Sequence, residues 1–259
     1  MAPRADPFKP SGAATYSKGE VNRAGQLVRA FSFQPDEQFE RDPWDKFDRA
    51  EVLDAMFKVT WWRTEHAGPL KKVAANLQYH MRAERALVAG RVDVSQRLKR
   101  RATIVGKLER EPTMDLTQMA DIGGVRARLP SLRDLHAVSR RLKKTWTVVR
   151  TRDYISSPKP SGYRALHHIV RRDGRLIEVQ LRTFLQDAWA NQVEDDGRQL
   201  GVGFKFGVGD AEVHDYYRVV AAVFAAMDQG DEIPPSLVAS LNEKFDRVRL
   251  QLKRRNESP

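Results

Sequence analysis

The sequence predicts an α+β protein, a mixed and mostly antiparallel sheet flanked by helices. Three observations carry this. Short alternating runs cluster in the middle of the chain, helical periodicity dominates both ends, and Asp173-Gly174 joins two alternating runs as an antiparallel hairpin turn would.

Ser17 to Phe31 reads as an amphipathic helix, because Ser17 and Glu20 form a capping box ahead of Val21, Ala24, Leu27 and Val28. A polar, unpatterned stretch from Ser32 to Pro43 follows, and Trp44 opens a second helical region running towards Trp61 and Trp62. After Pro69 a long helix is expected from about Leu70 to Ala89, with Val73, Leu77 and Met81 at helical spacing. Val92 to Glu111 is basic and reads as helix-prone, with Pro112 as its stop. Val125 to Leu129 alternates like a strand, Ser131 with Asp134 caps a helix through about Lys144, and Thr147 to Thr151 is a short β-rich run. Ala165 to Val170 and Leu176 to Arg182 are the two hairpin strands. Helices return from Thr183 to Glu194, from Asp210 to Ala226 and, after Pro234 and Pro235, from Ser236 to about Arg255. This divides the chain into an N-terminal helical extension (1–91), a core (92–200) and a C-terminal helical region (201–259).

Composition limits the chemistry. Cysteine is absent from the 259 residues, which excludes disulfides, thiolate zinc sites, iron–sulfur clusters and a cysteine nucleophile. Any metal must be held by carboxylate or imidazole. No apolar run is long enough to span a bilayer, and MAPRADPFKPSGAATYSK has no apolar core that would make it a secretory signal, so a cytoplasmic protein without a membrane partner is expected. The 45 Lys and Arg exceed the 34 Asp and Glu, a net charge of +11, which favours polyanionic partners. The excess is concentrated. Arg140 to Arg175 holds eleven basic residues against Asp153 and Asp173, and Arg97 to Lys107 holds five with no acid. A charge run is usually a solvated face, but solvated faces mix signs and these do not.

Leu176-Ile-Glu-Val-Gln-Leu-Arg182 puts Ile177, Val179 and Leu181 on one sheet face and Glu178, Gln180 and Arg182 on the other. Asp121 stands in Asp-Ile-Gly-Gly just before a strand, where paired glycines allow backbone to approach a ligand. Asp121 and Glu178 could share a Mg²⁺, a hard ion that takes carboxylate and phosphate oxygens together.

Four linked stretches, RLKRRATIVGKL (97–108), DIGGVR (121–126), DYISSPKPSGYRALH (153–167) and EVQLRT (178–183), resemble in order and spacing the RelA/SpoT-type alarmone synthetase domain. The resemblance covers roughly residues 90 to 200. It implies a nucleotidyltransferase-like synthetase core that moves the β,γ-pyrophosphate of ATP onto a ribose 3′-hydroxyl. It implies Asp121 as principal Mg²⁺ ligand, and Glu178 as metal neighbour and general base. Arg97, Lys99 (on a basic helix), Lys107 and Arg150 would contact ATP, while Arg152, Lys159 and His167 would neutralise phosphates, with Lys159 and His167 on the acceptor side. Tyr163 would stack on the acceptor base, and Gln180 and Arg182 would fix Glu178. Taken alone, Tyr163 could be a turn aromatic and His167 a hydrogen-bonded strand residue.

Two departures bear on subtype. Asp187, Trp189 and Glu194 in FLQDAWANQVED look like the small, single-domain synthetases, and Ser161 stands where the family commonly has Asn. His214-Asp215 spells the dipeptide of metal-dependent phosphohydrolases, but the residues before Val92 offer only His66 and His80, so no hydrolase is expected. Gly201 to Gly209 is glycine-rich without the lysine of a P-loop and reads as a flexible loop. Three functions remain: a synthetase making (p)ppGpp from GDP or GTP, a toxin-like relative modifying the 3′-CCA end of tRNA, and an inactive nucleic-acid-binding module. Intact Asp121 and Glu178 argue against the third. The surplus of base beyond the motifs, at Arg100, Arg101, Arg140, Arg141, Lys143, Lys144 and Lys253 to Arg255, tips the expectation narrowly to tRNA, with an antitoxin as a possible partner.

Overall fold

The computed structural model describes residues 15–32, 47–87, 91–199 and 211–256, with side chains described up to 248 in the last segment. Packing divides the chain into two compact units, Met1–Gly68 with Leu98–Gly123, and Pro69–Arg97 with Gly124–Pro259. These boundaries follow packing, whereas the divisions at 91 and 200 followed motif coverage.

The first unit is helical. Helix α1 (Lys18–Ser32) starts on the expected capping box: Ser17 Oγ accepts from the Glu20 amide at 3.3 Å, and the Glu20 carboxylate accepts from the Ser17 amide at 2.9 Å. Helix α2 (Arg49–Thr64) is capped by Asp48, which accepts from the Ala50 and Glu51 amides. The proposed start of this helix at Trp44 lies outside the described residues. Helix α4 (Arg101–Arg110) and a single 3₁₀ turn at Leu116–Gln118 complete the unit. Val21, Ala24 and Val28 of α1 meet Ala55, Val59 and Trp62 of α2, Ile104 and Leu108 of α4, and Leu116, Met119 and Ile122. Each fully buried Leu or Ile here contributes about 2 kcal/mol relative to exposure.

The second unit holds the sheet. Helix α3 (Ala67–Ala83), which begins at the boundary, stops earlier than Ala89 because Arg85 turns left-handed at φ 52° and the Ala86 amide returns to the Met81 carbonyl at 2.9 Å. Pro69 sits inside its first turn, where no amide donor is needed. Residues 92–100, read as helix-prone, form instead a strand, β1 (Asp93–Leu98), before α4 begins. The alternating β-branched Val92 and Val94 carry the period of a strand, and pairing with a neighbour overrides the helical preference of the basic residues.

Strands β2 (Gly123–Leu129), β3 (Val148–Asp153), β4 (Leu166–Arg172) and β5 (Arg175–Thr183) join β1 in a five-stranded sheet of order β1-β2-β5-β4-β3. Pairs β3–β4 and β4–β5 are antiparallel, and Asp173 (φ 47°) with Gly174 (φ 75°) supplies the two positive φ angles that the hairpin turn requires. Helix α5 (Leu132–Thr145), capped by Ser131, buries Leu135, Val138 and Leu142. Helices α6 (Phe184–Gln199), α7 (Ala211–Gln229) and α8 (Pro235–Asn256) follow. Trp189 and Val193 of α6, Tyr217 and Ala221 of α7 and Val248 of α8 form their shared core, with Tyr163 packed at its margin. No helix among the described residues is long and apolar enough to cross a membrane. The glycine-rich segment 201–209 lies outside the described residues.

Candidate active site

Strand register decides which side chains share a face in the second unit. His167 is paired with Gln180 and Arg152, and Ile169 with Glu178 and Arg150, so Arg150, Arg152, His167, Glu178 and Gln180 line one face. On β2, Val125, Ala127 and Leu129 are buried while Arg126 and Arg128 alternate with them, and Arg126 bonds Asn191 of α6 at 3.0 Å. The opposite face is closed by α5: the buried His168 places Nε2 at 2.9 Å from Ser139 Oγ and Nδ1 at 2.9 Å from Thr151 Oγ1.

Around Glu178 the hydrogen bonds close into a ring. Gln180 Nε2 donates to Glu178 Oε2 at 2.7 Å, and His167 Nδ1 lies 3.1 Å from Oε1. His167 Nε2 meets the Tyr163 hydroxyl at 2.7 Å; Arg182 Nη2 donates to that hydroxyl at 2.9 Å and to Gln180 Oε1 at 3.1 Å. A guanidinium can only donate, so the Tyr163 oxygen accepts from Arg182 and its own proton points to His167 Nε2. That assigns the His167 proton to Nδ1, from which it is donated to Glu178. Burial raises the Tyr163 phenol more than the Arg182 guanidinium lowers it, so the hydroxyl keeps the proton it donates.

The ring is anchored by Asp187, which the motif did not mark as a site residue. Its buried carboxylate accepts from Arg182 Nη1 at 3.0 Å and from Asn191 Nδ2 at 3.1 Å, and lies 3.2 Å from Arg126. Burial first, and then the Arg182 charge, lower the Arg126 guanidinium against the opposing pull of Asp187. Arg126, Asn191 and Arg128, whose Nε lies 3.9 Å from Asp187, are therefore residues that the sequence does not mark as part of the site, and Asp187 is marked there only as a sign of subtype. Arg126 stood inside DIGGVR, which was the available signal; Asp187 and Asn191 are four apart on one helix face, a spacing too common to be informative.

Tyr163 is half-buried, with Lys159 Nζ 5.2 Å and the Arg182 guanidinium 5.2 Å from its ring centre. The turn before it closes through the Gly162 amide to the Lys159 carbonyl at 2.8 Å. Arg150, Arg152 and Lys159 are exposed. Arg97 lies on β1 and Lys99 just beyond it, so neither stands on the basic helix that the resemblance implies; strand pairing holds that segment extended.

The first unit carries Asp121. Ala120 and Ile122 are buried on either side, which holds the loop and presents the acid between them. Lys99 Nζ donates to Oδ2 at 2.8 Å and Lys107 Nζ, from α4, to Oδ1 at 2.9 Å. Burial alone would raise the Asp121 carboxyl, but the two lysine hydrogen bonds outweigh it and hold it below the usual carboxylate range. The Lys99 backbone is fixed by its amide to the Ile122 carbonyl at 2.8 Å and by Arg63 Nε to its own carbonyl at 2.7 Å.

Among the described residues no group of three or more His, Asp or Glu side chains is disposed to hold a metal. Asp121 alone offers a single carboxylate, so a hard ion held there would need phosphate oxygens as further ligands.

The site is thus a carboxylate held by a ring of donors on a sheet face of an α+β domain that also carries Arg150 and Arg152. Residues 96–196 match the family described as a region found in RelA / SpoT proteins. The GTP pyrophosphokinase YjbM of Bacillus subtilis is 35% identical over 109 residues, 38% of this chain and 52% of the relative. The GTP pyrophosphokinase YwaC of the same organism is 34% identical over 110 residues, 37% of this chain and 52% of the relative. The chain thus spans about half the length of these curated relatives. In structure it is similar to the small alarmone synthetase 1 of Bacillus subtilis bound to its product pppGpp, with a TM-score of 0.55 and 22% identity over 66% of this chain and 94% of that one. A GTP pyrophosphokinase family protein from Streptococcus pneumoniae gives 0.53 and 21% over 73% and 95%. The fold is that of the small alarmone synthetases.

Proposed function

We propose that the chain is an ATP-dependent pyrophosphokinase that transfers the β,γ-pyrophosphate of ATP to the ribose 3′-hydroxyl of GDP or GTP and releases AMP. The observation that carries the reading is the ring around Glu178: a carboxylate fixed on an arginine-lined face suits the removal of a hydroxyl proton where phosphate charge is gathered. Glu178 takes the proton. Asp121 would hold Mg²⁺ together with the triphosphate, and the bound ion would supply charge neutralisation at the transferring phosphoryl oxygens. Arg97, Lys99, Lys107, Arg150 and Arg152 bind ATP and its phosphates. Lys159, Tyr163 and His167 serve the acceptor, Tyr163 by stacking on its base. Gln180, Arg182 and Asp187 position Glu178. The names of the curated relatives support a guanosine acceptor.

A second reading makes the 3′ end of tRNA the acceptor, with an antitoxin as neutralising partner. Arg140, Lys143 and Lys144 are exposed and make no ion pair among the described residues, as an RNA-binding surface would require. They stand on α5, however, which covers the sheet face opposite Glu178. Their charge is therefore not gathered on the Glu178 face, and the guanosine reading is preferred.

The test is transfer from γ-labelled ATP in the presence of Mg²⁺ and either GDP and GTP or bulk tRNA. Label on the guanosine nucleotide supports the first reading. Label on tRNA alone, lost when the 3′-ribose is oxidised, replaces it with the second. Label on neither overturns both.

A further inference from the structure

We propose that Lys99 and Lys107 guard the Asp121 carboxylate, so that a divalent ion gains it only when nucleotide phosphates draw the two ammonium groups away. The inference rests on the pyrophosphokinase reading and adds an order to it: ion and triphosphate enter together, and the free protein holds no ion at Asp121.

Each carboxylate oxygen of Asp121 receives one ammonium, at 2.8 Å and 2.9 Å. The side chains are only 13% (Lys99), 21% (Lys107) and 24% (Asp121) exposed, so water competes weakly for these contacts. One acid facing two bases leaves the cluster with net positive charge, which repels a cation. Glu111 offsets this little, because it lies 4.0 Å from Lys107 and is half-exposed. Mg²⁺ needs a carboxylate oxygen at about 2.0–2.1 Å and sheds its own water reluctantly, so it is a poor competitor for an oxygen already neutralised.

A triphosphate reverses the balance by giving the ammonium groups another partner. Lysine suits this exchange, because its charge rides on a flexible four-carbon stem while the root stays fixed. For Lys99 the root is held by backbone bonds to Ile122 and Arg63, so only the side chain need move. Lys107 projects from α4, whose Ile104 and Leu108 are locked in the core. By linkage, the ion must then strengthen nucleotide binding by the same factor that nucleotide strengthens ion binding.

Mn²⁺ titration of the full chain without nucleotide, followed by loss of the free-ion paramagnetic resonance signal, tests this without turnover. Wild type should bind Mn²⁺ no better than Asp121→Asn. The Lys99→Met/Lys107→Met double variant should gain a site at least about tenfold tighter, within the usual range for coupled ligands, that disappears when Asp121→Asn is added. An Asp121-dependent Mn²⁺ site in the free wild-type protein, as tight as in the double variant, overturns the proposal. So does a folded double variant that gains nothing. If circular dichroism shows the double variant unfolded, Lys107→Met alone makes the same comparison, and the wild-type titration still decides. Failure of label transfer to every acceptor would instead remove the pyrophosphokinase reading, a separate result from the titration.

Discussion

Two hydrogen-bond paths leave the Arg182 guanidinium and end on the two carboxylate oxygens of Glu178, one through Gln180 and one through Tyr163 and His167. Arg182 is itself buried and held by Asp187. The arrangement fixes the direction of the carboxylate from below while leaving the acid on the face shared with Arg150 and Arg152.

This ring gives Tyr163 a role through its hydroxyl as well as its ring, and the two can be separated. Tyr163→Phe keeps the aromatic surface but breaks the longer path. It should lower kcat by roughly tenfold, the equivalent of about 1–2 kcal/mol for one hydrogen bond in a charged network, with little change in acceptor KM. Tyr163→Ala should in addition raise the acceptor KM, by about 1–3 kcal/mol if the ring stacks on a base. Wild-type kcat for the Phe variant would mean that the hydroxyl is a bystander.

Removing either acid should be far more severe. Glu178→Gln keeps the shape but cannot accept the proton, and Asp121→Asn weakens the bond to the ion. Each should cut acceptor-dependent AMP release by on the order of a hundredfold or more, with an unchanged circular dichroism spectrum. AMP release near the wild-type rate in either variant would remove that residue from the mechanism.

The strand and hairpin assignments were legible because period-2 alternation and Asp173-Gly174 are local signals. Glu178, Gln180 and Arg182 could be put on one face by counting alone. What could not be read was anything that depends on pairing. Residues 92–100 look helix-prone because Gln96, Arg97, Leu98, Lys99 and Arg100 favour helices, and only the neighbouring strand makes Asp93–Leu98 extended. The Asp187 anchor was hidden for a related reason: its meaning lies in Arg126 and Arg182, 61 and five positions away in a chain that spacing cannot fold. The basic surplus was legible as a quantity but not as a location, and the placement of α5 is what weakens the tRNA argument drawn from it.

The turn that carries Lys159 and Tyr163 depends on Gly162. Its φ is +92°, and a Cβ there would fall 2.7 Å from the Ala221 Cβ on α7. Gly162→Ala should therefore destabilise the protein by about 1–3 kcal/mol, from backbone strain together with the clash, and raise the acceptor KM. Gly174→Ala is the control, since its φ is +75° but nothing lies within 4 Å, so it should lose about 1 kcal/mol from backbone strain alone and leave KM unchanged. Urea midpoints for the two variants check the order; equal losses would mean that the contact with Ala221 carries no weight.

Acid sensitivity should centre on His168. The ring is buried between Ser139 and Thr151, and burial first, then the Lys143 and His167 charges, push its pKa from 6.5 down to about 4. Because the native value lies below the unfolded one, the unfolded chain takes up a proton that the native state refuses. The stability this represents is fully present above pH 6.5 and is lost as pH falls towards about 4, up to about 3 kcal/mol in all. His80, lowered by burial and then by Arg141, adds to the loss in the same direction. Asp121 and Asp153 also have lowered pKa values, but they act in a separate window below the ordinary carboxylate value of 3.8. Urea unfolding at pH about 7, 5.5 and 4.5 should show a falling midpoint, and His168→Gln should flatten that fall whatever its absolute stability. A midpoint that stays level across this range, or an imidazole signal from His168 titrating near 6.5, would show that the ring is open to water and that α5 does not seal this face of the sheet.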